Sequence, residues 1–127
     1  MDARLLTSHA MRVAEQFPAV TQEQPFGPDV EVFKVHGRIF LLVMGPPDRP
    51  LVTVKADPFD AAELRAAFAD IVTGHHMNKR HWISIAPGDA VDRDLLRELV
   101  TDSYRLVVAR LPARRRPVDP ETFGYRP

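Results

Sequence analysis

The amino-acid sequence predicts an α+β domain in two layers, an antiparallel sheet with helices on one face. Three features carry that expectation. Helical periodicity marks both ends of the chain, and short Val-, Ile- and Phe-rich segments divided by turn residues fill the middle. Nowhere does strand alternate regularly with crossover helix. The expected order is α-β-β-β-α, then one or two strands, then a last α. At 127 residues the chain has the size of one domain with one core.

Leu6, Ala10, Val13 and Phe17 recur at spacings of four, three and four, the stripe of an amphipathic helix over residues 2–17, with Asp2 as N-cap and Pro18 as its stop. Residues 19–29 contain Pro25, Gly27 and Pro28 without a period and are expected to be a connecting loop. Strands over 30–35 and 38–44 flank His36 and Gly37, a two-residue connection that suits a hairpin. A stiff turn from Gly45 to Pro50 precedes a third strand over 51–55, giving an antiparallel meander.

Asp57 followed by Pro58 reads as an N-cap with proline at the first helical position, and Leu64, Ala67, Phe68 and Ile71 supply the apolar stripe of the second helix. Gly74 interrupts it, a basic stretch follows to His81, and residues 82–86 read as a strand. Asp92 caps a long final helix whose stripe runs from Leu95 through Leu99, Tyr104 and Val108 to Leu111, before Pro112. The expected domain is 1–112. Residues 113–127, rich in Arg and Pro, read as a tail on the surface or on a partner chain, with Phe123 and Tyr125 as possible anchors.

Composition narrows the function classes. Apolar residues make up 45% and charged residues 27%, as in globular rather than disordered chains. Seventeen basic residues balance seventeen acidic ones, so any affinity for nucleic acid or membrane must come from a local patch. Cysteine is absent, which removes disulfides, thiolate metal sites and a Cys nucleophile. A cytoplasmic location is expected, since the chain opens without a signal-peptide apolar segment. The longest strongly apolar run, residues 39–44, falls far short of the roughly 20 residues that cross a bilayer.

The densest chemistry lies in one segment. His75, His76, Asn78, Lys79, Arg80 and His81 precede Trp82 and the alternating Ile83, Ser84 and Ile85. Period-two alternation puts Trp82 and Ser84 opposite the two isoleucines, with Thr53 and Lys55 on the face of Trp82 if Val52 and Val54 turn to the helices. Lys55, Lys79, Arg80 and Trp82 then form one basic and aromatic surface, suited to phosphates and bases. The bland alternative makes Trp82 a core anchor and the two cations a solvated turn. From Tyr104 to Arg116 five arginines, Arg105, Arg110, Arg114, Arg115 and Arg116, occur without one acidic residue. They form either a phosphate-binding stripe or a set of cations that favour a helix C-terminus.

The run Asn78-Lys79-Arg80-His81-Trp82 resembles the Asn-Lys-basic-His-Trp signature of the MmcQ/YjbR family. Pro25 to Asp29 followed by Val32, Phe33, Lys34 and Val35, and Asp102 to Val107 with its Ser103-Tyr104 pair, resemble that family's entry loop and last helix. The resemblance implies a compact fold like that of secretion chaperones, also described as CyaY-like, and a DNA-binding role. No cofactor or metal is expected: His75 and His76 diverge if extended, and no carboxylate lies between Gly74 and Trp82. Catalysis is not expected either, because no glycine-rich phosphate loop, Gly-x-Ser-x-Gly elbow or paired carboxylates accompany the histidines.

The expected function is therefore weak, salt-sensitive and largely sequence-independent DNA binding through Lys55, His76, Asn78, Lys79, Arg80, His81 and Trp82, extended by the five arginines. The rival is a protein-interaction module. It rests on residues 38–44, which read as apolar on both faces, with Ile39, Leu41 and Val43 on one and Phe40, Leu42 and Met44 on the other. The second face then needs a cover, whether a partner, a second copy or the tail.

Overall fold

The computed structural model describes residues 1–74 and 76–125. Its elements are α1 (Ala3–Glu15), β1 (Val20–Glu23), β2 (Glu31–Val35), β3 (Arg38–Met44), β4 (Leu51–Lys55), α2 (Pro58–Ala67), β5 (Ile71–Thr73), β6 (Trp82–Ile85) and α3 (Arg93–Ala109), with a 3₁₀ turn at Ala113–Arg115. The strands form one antiparallel sheet in the order β1-β2-β3-β4-β6-β5. All three helices pack on the same face of it, around a core that joins Leu6, Ala10 and Val13 of α1 to Phe33, Val54 and Ile83 of the sheet and to Leu96, Val100 and Tyr104 of α3. The expected fold class is the one observed.

Local signals set the helix starts. The Asp2 carboxylate accepts from the Leu5 amide at 2.8 Å, Asp57 from the Phe59 amide at 3.0 Å, and Asp92 from the Leu95 amide at 2.8 Å. His36 and Gly37 both take left-handed φ, 46° and 80°, the requirement of a primed hairpin turn.

Three expectations are corrected. The stretch after Ala19 is not all loop, because β1 pairs along β2 from Val20↔Val35 to Glu23↔Val32. Only Val20 of its four residues is apolar and the other three are exposed, so backbone hydrogen bonds rather than a buried stripe hold it. The second helix ends at Ala67. Phe68 turns extended as its amide closes on the Leu64 carbonyl at 3.0 Å, and Ile71 is instead a buried residue of the edge strand β5, opposite Ile85. Finally, β3 does not alternate strictly. A bulge sets Phe33 opposite Leu41 and Lys34 opposite Ile39, which leaves Phe40 as the extra residue. Phe40, Leu41 and Val43 therefore join the helix-side core, and Ile39, Leu42 and Met44 the far face.

Helix α3 is fastened to the sheet by polar bonds as well as by packing. The buried Ser103 hydroxyl donates to the Phe40 carbonyl at 2.6 Å and accepts from the Lys55 amide at 2.8 Å, closing the gap where β3 and β4 part at the bulge. The next residue, Tyr104, centres an aromatic cluster, with ring centroids 4.6 Å from Phe17, 5.3 Å from Phe40 and 5.4 Å from Phe123. Its hydroxyl donates to the Pro18 carbonyl at 2.6 Å.

Ser103→Ala leaves one buried amide and one carbonyl without this partner and should lower stability by about 1–3 kcal/mol in chemical denaturation. An unchanged midpoint would show the bridge to be dispensable. Burial pushes the Tyr104 phenol up from 10.0 to about 12. The unfolded chain then releases this proton before the folded one does, so its contribution is intact below about pH 10 and is lost between about pH 10 and pH 12. The stability advantage of the native protein over Tyr104→Phe should shrink across that window.

Candidate functional site

The basic segment before β6 is built by its own backbone. Asn78 is exposed and its side-chain oxygen accepts from the Arg80 amide at 2.9 Å, an Asx turn that reverses the chain. The carbonyl of His81 accepts from the Ala56 amide at 2.9 Å, and Trp82 stands opposite Lys55 in the ladder. The turn is thereby pinned to the end of β4, while Lys79 and Arg80 project as exposed cations and His76 sits exposed at φ 61°. His75, part of the expected cluster, lies outside the described residues.

Trp82 is on the face away from the helices, but it is only 9% exposed. It packs with Val32, Leu42 and Met44, and Met77 from the same turn closes over this second cluster. Beneath lie the Thr53 and Ser84 hydroxyls, both 0% exposed and 2.7 Å apart. Gly74 permits the fit: a Cβ there would meet the Trp82 Cβ at 2.5 Å. The stacking platform expected for Trp82 is thus corrected to a packing role. The chain itself supplies the cover for its far sheet face. The tail does not, since Phe123 packs on Phe17 and Tyr104 on the helix side.

Arg105 is a second correction. It is 8% exposed, paired with Asp102, bonded from Nη1 to the Phe123 carbonyl at 2.8 Å and placed 4.0 Å from the centre of the Tyr125 ring. It binds the chain's own last segment and is not available to a phosphate. Arg116 is exposed, yet its guanidinium donates to the Leu111 and Ala109 carbonyls at 3.0 and 2.8 Å, capping the end of α3. Arg114 and Arg115 are exposed in the 3₁₀ turn.

Two further cations, Arg38 and Arg110, act electrostatically on Lys55 at the end of β4. Burial, and then the positive charges of Arg110 and Arg38, hold the half-buried Lys55 ammonium below its ordinary pKa. Arg110 closes α3, and Arg38 opens β3 directly after the hairpin. Among the described residues, ion pairs join Lys34 to Glu23, Arg49 to Asp48 and Arg105 to Asp102, and none engages Lys55, Lys79, Arg80, Arg38 or Arg110. Sequence reasoning missed Arg38, because only the meander and the last helix bring it to Lys55. Among the described residues no group of three or more His, Asp or Glu is placed to hold a metal ion, and no helix is long and apolar enough to cross a membrane.

A model of the YjbR family matches residues 15–106. The chain belongs to the YjbR family. It is 40% identical over 114 residues to the uncharacterized protein YbdF of Escherichia coli O157:H7, covering 90% of this chain and 93% of that one. The uncharacterized protein YjbR of Escherichia coli K12 is 31% identical over 83 residues, 65% of this chain and 70% of that one. Among solved structures, Deinococcus radiodurans DR2400, a DUF419 domain, superposes with a TM-score of 0.83 at 27% identity, over 95% of each chain. A Pseudomonas syringae protein shares the fold, with a TM-score of 0.67 at 22% identity over 78% of this chain and 96% of that one.

The run from Asn78 to Trp82 and the Ser103-Tyr104 pair serve turn formation, strand pairing and packing. Trp82→Ala should therefore lower stability by about 3–5 kcal/mol in chemical denaturation. A variant as stable as the native protein would put the ring outside the core.

Proposed function

We propose that this YjbR-family domain binds nucleic-acid phosphates through the cationic end of its sheet. Lys55, Lys79 and Arg80 form the centre of the surface, Arg38 and Arg110 flank it, and Arg114 and Arg115 extend it. His76, Asn78 and His81 shape the turn that presents it. The observation that carries this reading is Lys55: a half-buried ammonium on which two more cations act and which, among the described residues, no carboxylate pairs. Concentrated like charge costs folding free energy, and an anion at that spot relieves it.

Phosphate contacts alone carry no sequence information, and the buried Trp82 offers little ring to a base. Binding is therefore non-specific and electrostatic, and duplex and single strands compete for one surface. Its affinity falls steeply between about 50 and 200 mM salt.

Fluorescence anisotropy with labelled duplex DNA tests it. Native protein should bind in the micromolar range at low salt. Lys79→Glu with Arg80→Glu should abolish most of that affinity at nearly unchanged thermal stability, since both side chains are exposed. Absence of binding at low salt, or full affinity in the double variant, would overturn the proposal.

A further inference from the structure

Helix α3 carries two apolar stripes. One, through Leu96, Val100, Tyr104 and Val107, belongs to the core. The other runs through Leu95, Leu99, Asp102, Leu106 and Ala109, at spacings of four, three, four and three, and lines an open groove beside α2. From its cap onward α2 supplies the opposite wall with Asp57, Asp60, Leu64 and Ala67, at spacings of three, four and three. The groove exists because the two helices pack on different elements, α2 on β5 and β6, and α3 on α1, β2, β3 and β4. Its two ends are cavities of about 330 and 420 Å³ that share Asp60, Leu64, Leu99 and Asp102.

We infer that the α2–α3 groove docks a cationic amphipathic helix of a partner protein. The apolar stripe of that helix lies on Leu64, Leu95, Leu99 and Leu106, and its Lys or Arg side chains lie beside Asp60, Glu63 and Glu98.

The spacing of the walls selects a helix. Residues at alternating steps of three and four stay on one face of a helix, and from Leu95 to Ala109 that face extends about 21 Å at 1.5 Å per residue. Two neighbouring helices that each present such a stripe form the holes into which a third helix sets its own apolar side chains. Leu99 is buried, but Leu64, Leu95 and Leu106 are only half-buried, so the floor of the groove still has apolar surface to lose from water.

Charge selects a cationic helix. Asp60, Glu63, Glu98 and Asp102 line the smaller end, and no cation lines it. Asp102 pairs with Arg105, whereas Asp60, Glu63 and Glu98 are exposed and, among the described residues, form no ion pair. At the larger end Arg105 and Arg116 are held by the chain itself, and Lys55 faces Asp57 and Glu121 among the lining residues. An acidic rim on a leucine floor favours positive side chains and repels an anionic helix or a phosphate backbone. The chain's own helices do not fit the groove in a second copy: the apolar stripe of α1 is buried in the core, and α2 and α3 are the walls.

The inference goes beyond nucleic-acid binding and does not rest on it. Fluorescence anisotropy with the full chain and a labelled model peptide tests it, the peptide being about two heptads of Leu and Lys with the leucines on one helical face. A scrambled peptide of the same composition and a Leu–Glu peptide of the same pattern serve as comparisons. The Leu–Lys peptide should bind in the micromolar range, gain helical circular dichroism on binding and bind more tightly than either comparison. Glu63→Lys with Glu98→Lys, both exposed positions, should lose most of that affinity at nearly unchanged thermal stability. No binding, equal binding of the scrambled peptide, or full affinity in the double variant would overturn the inference. So would native protein that dimerises in sedimentation through contacts the double variant abolishes, since the groove would then belong to a second copy.

Discussion

The attachment of α3 to the sheet governs this fold. Three consecutive buried residues, Ser103, Tyr104 and Arg105, reach three distant parts of the chain: the β3–β4 seam, the end of α1 and the C-terminal segment. Each reaches a backbone carbonyl with a donor, so burial of these polar groups is compensated where it would otherwise cost several kcal/mol. One helical turn thus holds the bulge at Phe40, the exit of α1 at Pro18 and the return of Phe123 in fixed relation. Because β4 is fixed through the Lys55 amide, the same attachment sets the cationic end of the sheet.

The second layer of consequence concerns the far face. A two-layer domain leaves one sheet face without helices, and here that face still carries Val32, Leu42, Met44 and Trp82. The chain covers it with the ring of Trp82 and the side chain of Met77, and Gly74 leaves the room that the Trp82 backbone and Cβ occupy. The turn that supplies the cover also carries Lys79 and Arg80. The turn packs on one side and carries charge on the other, so its apolar anchor also fixes the backbone that bears the exposed cations.

Charge segregation rather than net charge distinguishes the surface. The chain is neutral as a whole, yet among the described residues Lys55, Arg38 and Arg110 form no ion pair with a carboxylate. Such a cluster is a local field that favours anions.

Helix caps, the hairpin and the α+β class were legible in the sequence because each depends on residues within a few positions of one another: Asp2 with Leu5, Asp57 with Pro58, His36 with Gly37. The exposed pair Lys79 and Arg80 was legible for the same reason, as were the residues of the turn that carries them. What needed the tertiary structure depended on partners far along the chain. The strand β1 exists because β2 offers it a ladder, Ile71 leaves the helical stripe because β6 pairs it opposite Ile85, and the bulge at Phe40 exchanges the faces that alternation assigns to Ile39 and Phe40. Arg105 and Trp82 carry residue types that suit binding, but burial by Phe123, Tyr125 and Met77 commits them to the interior. Arg38 became part of the site only when the meander carried it to Lys55. Local sequence sets periodicity and turns through short-range backbone geometry, while register and burial follow from long-range pairing that no single segment encodes.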